Sequence, residues 1–160
     1  MDASGWTALH YAAQGGSLDF VKLLIEHKAD IDATTGKNET ALFLATKNNH
    51  PHIVEWLAEN KCQLKTKGLF VTTTKYSEQK EKEFSALELA AKNNFVEIAK
   101  CLLLCLARKK ELYEEEVNEL LVKAAKKDQV KMANELLAIG ANVNYQQGII
   151  LYSYLIFLLQ

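Results

Sequence analysis

An internal repeat is the feature of this sequence that most limits what it can fold into. Thr7 and Leu9 recur as Thr40 and Leu42, and Leu42 recurs in turn as Leu87. A fourth copy follows the third at a similar spacing. A unit of about 33 residues cannot bury its apolar side chains alone, so neighbouring units stack around a continuous core. The sequence therefore predicts a repeat protein with an insertion of about 12 residues ahead of its third unit.

Each unit reads as two short amphipathic helices. In the first unit, two apolar stripes at helical spacing flank Gly16, where the chain turns with a positive φ that glycine adopts without strain. The paired alanines of the first stripe are small enough for neighbouring helices to approach closely. The predicted stripes are Ala8, Leu9, Ala12 and Ala13, followed by Phe20, Val21, Leu24 and Ile25. The matching leucines of the second and third units, predicted to be central core residues, are Leu42, Leu57, Leu87 and Leu102.

These residues resemble the ankyrin repeat family, whose period is about 33 residues and whose signature is T-P-L-H-x-A. The run TALHYAAQGG at residues 7–16 carries the resemblance, together with the closing runs ADIDA at 29–33 and GANVN at 140–144. The resemblance implies an all-α fold, a solenoid of stacked helix–turn–helix units with β-turn fingers, one of them elongated. It implies a single domain over residues 1–160, with repeats at about 2–33, 34–65, 66–110 and 111–144.

Three segments depart from the repeat pattern. The insertion falls at about 66–84, and residues 69–76 are rich in Phe, Val and Thr, which favours an extended β-finger. We expect this finger to lead into a charged helical segment before the third unit. Between the third and fourth units there is no glycine, so a longer first helix is expected to replace the turn. Residues 145–160 are either a degenerate cap or a partial fifth repeat.

Composition and charge exclude several classes of function. Hydrophobic residues make up 49% of the chain and charged residues 24%, which is typical of a soluble globular protein. The formal net charge of −1 provides no general attraction for nucleic acid. No apolar run reaches the roughly 18 residues of a membrane-spanning helix, and the N-terminus lacks the pattern of a signal peptide. Three cysteines indicate free thiols in a reducing compartment, so we expect a cytoplasmic monomer.

Several His and Cys residues are candidates for a catalytic or metal-binding site. His10 holds the Leu-His position of the repeat signature, where a structural hydrogen bond is expected. His50 and His52 lack further ligands at zinc-finger spacing, and His50 is expected to be a solvated helix cap. Cys101 and Cys105 lie among leucines and are expected to be buried. The sequence also lacks a glycine-rich phosphate loop and known hydrolase motifs. We therefore expect no enzymatic activity, no cofactor site and no metal site.

The resemblance implies where a protein partner binds. In ankyrin-like arrays, partners contact the finger tips and the two residues that follow the paired alanines, which face a concave groove. Three of these positions are lysines: Lys47, Lys92 and Lys126. Their row is either a local positive strip that binds a partner or only a solvated helix surface. The residue just before the Thr position of the motif, which is Trp6, Glu39 or Phe84, is expected to be exposed at the finger base. The implied partner-binding residues are Trp6, Gln14, Lys37, Glu39, Lys47, Asn48, Phe84, Lys92, Asn93, Lys126 and Lys127.

Two functions from different classes follow. The first is a non-catalytic scaffold that binds another protein through the groove and finger tips, with an acidic segment favoured by the lysine row. The alternative is the targeting or substrate-recruiting arm of a larger enzyme or microbial effector, whose catalytic part lies outside this chain. For an effector, the expected location is the cytoplasm of the host cell.

Overall fold

The computed structural model describes residues 4–73 and 79–145, and in these ranges the chain forms four helix pairs and one β-hairpin. The predictions for residues 74–76 of the finger and for the segment beyond residue 145 lie outside the described residues. The elements in chain order are α1 Ala8–Gly15, α2 Leu18–Glu26, α3 Ala41–Lys47, α4 Pro51–Glu59, β1 Lys67–Thr73, β2 Gln79–Ser85, α5 Ala86–Asn93, α6 Val96–Arg108, α7 Glu114–Lys126 and α8 Val130–Ala138.

The first helix of each of the first three repeats, α1, α3 and α5, begins where a side chain accepts a hydrogen bond from a backbone N–H group at the helix start. In the third unit, the Ser85 N–H donates to Glu88 Oε2 at 2.9 Å and the Glu88 N–H donates to Ser85 Oγ at 3.2 Å, a reciprocal capping box. In the first unit, the Thr7 N–H donates to His10 Nδ1 at 2.9 Å. The Nε2–H of the buried His10 donates to the Ala33 carbonyl at 2.9 Å. The predicted structural role of His10 is thereby confirmed.

The core lies between stacked helix pairs, as the repeat predicts. The four core leucines predicted from the repeat, Leu42, Leu57, Leu87 and Leu102, are all buried. Leu24 and Ile25 of the predicted stripes are only partly buried, and two further stripe residues differ more: Ala8 is exposed and Phe20 is half-exposed. Their equivalents in the second unit, Ala41 and Ile53, are buried. The stripe prediction is therefore wrong for these two positions of the first unit, because the side of α1 and α2 on which they lie has no helix pair against it in the described part of the chain.

The inserted segment is a two-stranded antiparallel hairpin. Lys67 pairs with Ser85 at its base, and Thr73 pairs with Gln79 at the far end of the described register. The expected elongated finger is confirmed, but the expected charged helical segment is wrong, since Gln79–Ser85 is the second strand. Lys and Glu favour helix locally, but pairing with a strand rich in β-branched and aromatic residues overrides that weak preference.

The base of the hairpin is fixed to the turn that precedes α3. The Leu69 N–H donates to the Lys37 carbonyl at 3.1 Å, and Asn38 Nδ2 donates to the Lys67 carbonyl at 2.7 Å. Between these contacts Gly68 lies so close to the buried Phe43 that a β-carbon would stand 3.0 Å from its ring. A side chain at this position would require the buried Phe43 ring to shift by a few tenths of an ångström.

The chain divides into two compact units, Met1–Glu111 and Leu112–Gln160. In the second unit, α7 packs against α8 around a core that includes Val117 and Met132. The helices α6 and α7 each have 13 residues, whereas the other helices have 7 to 9. A turn nevertheless separates them, with Lys110 at a φ of 56°. The expectation that a longer first helix replaces this turn is wrong. The expected single domain stays a prediction.

Candidate partner-binding surface

A concavity between the first two fingers brings together four residues that the sequence predicted as partner-binding. It has a volume of about 380 Å³. Trp6 lies on one side, and the turn before α3 contributes Lys37 and Glu39. Lys47 reaches the concavity from the end of α3. The remaining lining residues are Ser4, Thr35 and Gly36.

Glu39 is not the exposed finger-base residue that the sequence predicted. Its side chain is only 3% exposed, and its Oε1 accepts a hydrogen bond from Lys47 Nζ at 2.9 Å. The reason is the closed turn before it, in which the Thr35 N–H donates to the Glu39 carbonyl and Thr35 Oγ1 accepts the Glu39 N–H. This turn directs Glu39 inward. The carboxylate is thus an internal partner of Lys47.

Trp6 is held in place by contacts with two neighbouring rings. Its ring centroid lies 4.9 Å from that of Tyr11 and 6.0 Å from that of His10, with the His10 ring edge-on. Trp6 itself is partly exposed at the rim of the concavity. Because its orientation is set before any partner arrives, a contact with this ring costs little conformational entropy.

The hairpin and the ends of two helices form a lysine–aromatic cluster, which consists of Lys47, Phe70, Lys82, Phe84 and Lys92. The rings of Phe70 and Phe84 are 6.2 Å apart and nearly perpendicular. Lys92 Nζ lies 4.6 Å from the Phe70 centroid and 4.8 Å from the Phe84 centroid. Lys47 Nζ lies 5.7 Å from Phe70, and Lys82 Nζ lies 5.5 Å from Phe84. These are cation–π distances.

Phe70 was missed as a site residue, although the hairpin register explains its position. Phe70 pairs with Lys82, so Phe84 is its diagonal neighbour on the same face of the sheet. Diagonal neighbours of this kind are within reach of aromatic side chains. This position follows only from the pairing of Gln79–Ser85 with β1, and the helix expected there from the sequence gave no reason to place Phe70 beside Phe84.

The other predicted site residues are distributed over both compact units. Gln14 is exposed in α1, Asn48 is exposed after α3, and Asn93 is partly exposed at the end of α5. Lys126 and Lys127 are exposed at the end of α7, in the second unit. The structure therefore brings Lys47 and Lys92 together at the cluster, while a row that extends to Lys126 stays a prediction.

His50 connects the second repeat to the first and does not act as a solvated helix cap. It precedes α4, but its side chain makes no capping hydrogen bond. Its Nε2–H instead donates to the Gln14 carbonyl at 3.0 Å, and its ring covers Gly16, where a β-carbon would stand 2.7 Å away. Gly16 has a φ of 81°, so both its conformation and this contact require glycine. The prediction of a solvated cap is wrong because the previous repeat supplies the partner.

The three cysteines are free thiols. Cys62 is buried, and burial is the main cause that raises its pKa to about 12. Cys101 and Cys105 are only half-buried, which corrects the prediction, because they line a groove of about 360 Å³ between α4 and α6. Burial, and then the neighbouring Cys105, raise the pKa of Cys101 to about 12. A thiol with so high a pKa is a poor nucleophile at neutral pH.

Two further properties hold for residues 4–73 and 79–145. No helix in these ranges is long and apolar enough to cross a membrane. Within the same ranges, no group of three or more His, Cys, Asp or Glu side chains is placed to hold a metal ion.

Comparison with known proteins identifies the repeat family that the first part of the chain matches. A family model described as "Ankyrin repeats (3 copies)" matches residues 1–68. The chain is 40% identical over 47 residues to the "Ankyrin repeat and protein kinase domain-containing protein 1" of Mus musculus, and 56% identical over 36 residues to the "Delta-latroinsectotoxin-Lt1a" of Latrodectus tredecimguttatus. It is 34% identical over 71 residues to the "Probable 26S proteasome regulatory subunit p28" of Saccharomyces cerevisiae.

These similarities are partial. They cover 29%, 22% and 43% of this chain and 6%, 3% and 31% of the respective relatives. The described helix pairs have the all-α architecture of the family, in which repeats generally serve as protein–protein interaction modules. Residues 1–68, the matched part of the chain, are thus ankyrin repeats.

Proposed function

We propose that the chain is a non-catalytic module that binds an acidic segment of another protein. The binding site is the finger surface, which we define as the lysine–aromatic cluster together with the concavity lined by Trp6, Lys37 and Glu39. The observation that carries the proposal is the position of three ammonium groups, those of Lys47, Lys82 and Lys92, at 4.6–5.7 Å from two aromatic rings of an inserted finger.

The cluster is suited to carboxylates for two reasons. The rings hold the lysine side chains in a limited set of conformations, so binding a carboxylate there loses less side-chain entropy than binding at unconstrained lysines. Lysines are also concentrated on the finger surface, where Lys37 and Lys47 line the concavity and Lys82 and Lys92 contact the aromatic rings. Because the whole chain has a net charge of −1, this concentration of lysines is a local feature. Lysine ammonium groups attract acidic segments at short range.

The concavity supplies a place for an apolar or aromatic side chain of the same partner. Trp6 packs against Tyr11 and is partly exposed at the rim of the concavity. Pre-oriented aromatic rings beside a pocket are typical of the residues that dominate interface energies. We therefore expect the partner segment to combine Asp or Glu with an aromatic residue.

A random peptide library displayed on phage tests this proposal directly. Peptides selected on the wild-type chain are expected to be enriched in Asp and Glu. Their affinity should fall by about tenfold or more in Lys92→Glu, mainly through slower association with a weaker salt dependence. Phe84→Ala should accelerate dissociation instead, since it removes a contact surface. Lys47 is left unchanged because it pairs with the buried Glu39.

The matched control is Lys100→Glu, which makes the same charge change on α6, where Lys100 lines the groove with Cys101 and Cys105. It should bind the selected peptides as the wild type does. Selected peptides without acidic residues, or equal losses in Lys92→Glu and Lys100→Glu, would contradict an acidic partner at the finger surface.

The second candidate is a recruiting arm within a larger polypeptide. It is supported by the relatives, which are much longer than the matched region, one of them being named for a protein kinase domain. The mass of the endogenous protein distinguishes the two, because a product clearly larger than this 160-residue chain is expected only for the second. In either case the free thiols support a reducing, cytoplasmic location.

A further inference from the structure

The second strand of the inserted finger has an outer edge, on the side away from β1. In residues 4–73 and 79–145 the hairpin is a sheet of two strands, and β1 is the one strand that pairs with β2. The outer edge of β1 is covered at its base, where the Leu69 N–H donates to the Lys37 carbonyl at 3.1 Å. The described residues place no strand on the outer edge of β2. The backbone groups of this edge are therefore placed to pair with a strand of a partner.

The outer edge of β2 adjoins the lysine–aromatic cluster. Lys82 lies directly opposite Phe70 in the hairpin register, and Phe84, two residues further along, is on the same face of the sheet. Glu83 lies between them in the chain and so belongs to the other face. Lys82 and Glu83 are exposed, and Phe84 is partly exposed. A strand added to β2 would present alternate side chains to the cluster and the intervening ones to Glu83.

The order of these three side chains defines the sequence that an added strand needs. Residues directly opposite each other on neighbouring strands interact, and opposite charges or aromatic pairs stabilise the sheet, whereas like charges destabilise it. A carboxylate fits opposite Lys82, an aromatic or β-branched side chain opposite Phe84, and a basic side chain opposite Glu83. Charged residues on an edge strand also oppose unspecific pairing. The edge therefore selects strands of complementary charge.

We propose that the acidic partner segment binds as a third, antiparallel strand on the outer edge of β2. This inference rests on the proposed function and adds the conformation of the segment and the order of its residues. Antiparallel pairing is expected because it is slightly more stable per residue than parallel pairing. Read from its N-terminus, the segment contains an aromatic or β-branched residue, then Lys or Arg, then Asp or Glu. A third strand also stabilises the finger, since an isolated hairpin is only marginally stable.

An N-methyl scan of the tightest-binding phage-selected peptide tests the strand conformation. Each backbone N–H of the synthetic peptide is replaced in turn by an N-methyl group, which removes one hydrogen-bond donor. In a bound strand, the N–H groups of successive residues point alternately towards and away from the neighbouring strand. We therefore expect about tenfold weaker binding at every second position and a change of less than about threefold at the positions between them.

Glu83→Lys tests the register, because Glu83 belongs to the face of the sheet away from the cluster. It should weaken peptides that carry Lys or Arg before the acidic residue by about threefold or more, and exchange of that basic residue for Glu should restore the affinity. The matched control is Glu97→Lys, which makes the same charge change on α6 in the groove with Cys101 and Cys105. It should bind both peptides as the wild type does.

The possible results separate this proposal from the one on which it rests. Acidic peptides that need Lys92 but tolerate an N-methyl group at every position would overturn the strand and leave the acidic partner in place. Selected peptides without acidic residues would overturn both proposals. Slower hydrogen exchange of the β2 amides at higher concentrations of the chain alone would assign the edge to a second copy. That result would overturn the strand proposal and the monomer that the sequence predicts.

Discussion

Leu87→Ala is expected to lower the free energy of unfolding of the first compact unit by about 2–5 kcal/mol. Leu87 lies at the second position of α5 and is buried, at the place in the repeat that Leu9 and Leu42 occupy in the first two units. Its removal leaves a cavity between helices that are held by packing, and the surrounding side chains refill it only in part. Urea unfolding followed by circular dichroism measures the effect, as a lower midpoint with an unchanged slope.

The control for this prediction is Leu104→Ala, which shortens a leucine of similar size on the exposed side of α6. We expect a change of about 0.5 kcal/mol or less. If Leu87→Ala and Leu104→Ala had the same unfolding midpoint, the repeat register that places Leu87 in the core would be refuted.

Lys47→Met is expected to lower the free energy of unfolding by about 1–3 kcal/mol, whereas Lys92→Met should change it by less than about 1 kcal/mol. Both substitutions remove an ammonium group from the Phe70 ring. Only Lys47→Met also removes the cation that binds the buried Glu39 carboxylate at 2.9 Å. The expected loss is below that of a fully buried ion pair because Lys47 itself is partly exposed.

A double-variant cycle isolates this ion pair. The Glu39→Leu and Lys47→Met changes made together should recover most of the stability lost in Lys47→Met alone, because no buried charge is then left without a partner. Chemical denaturation of the four proteins measures the coupling energy. Strictly additive effects, or a Lys92→Met loss as large as that of Lys47→Met, would show that the cation–π contacts and not the ion pair stabilise this region.

The sequence was sufficient to predict the repeat architecture, because that architecture depends on the spacing of apolar residues within one repeat. Two apolar stripes per repeat, each at helical spacing, are buried efficiently only when helix pairs stack. The capping residues are equally local, as Ser85 and Glu88 stand three positions apart and satisfy each other's backbone N–H groups. The same holds for His10, which receives a hydrogen bond from Thr7 within one turn of helix.

The inserted finger shows where local reading failed. The segment Gln79–Ser85 contains a run of four consecutive charged residues, two Lys and two Glu, which by themselves favour helix. Its structure is decided by the strand at Lys67–Thr73, which is paired with it through a connection of five residues. Without the register of that pairing, Phe70 and Phe84 could not be placed beside each other, and the lysine–aromatic cluster could not be predicted.

By itself, the sequence determined the repeat period, the helix pairs, the core leucines and the structural role of His10, because each depends on residues close together in the chain. Only the tertiary structure decided that Glu39 is buried against Lys47, that Phe70 joins the site and that Phe20 lies half-exposed on α2. Each of these outcomes depends on what a separate turn, strand or repeat places against the side chain. The periodic pattern of apolar residues within a repeat does not specify which turn, strand or other repeat packs against a given side chain.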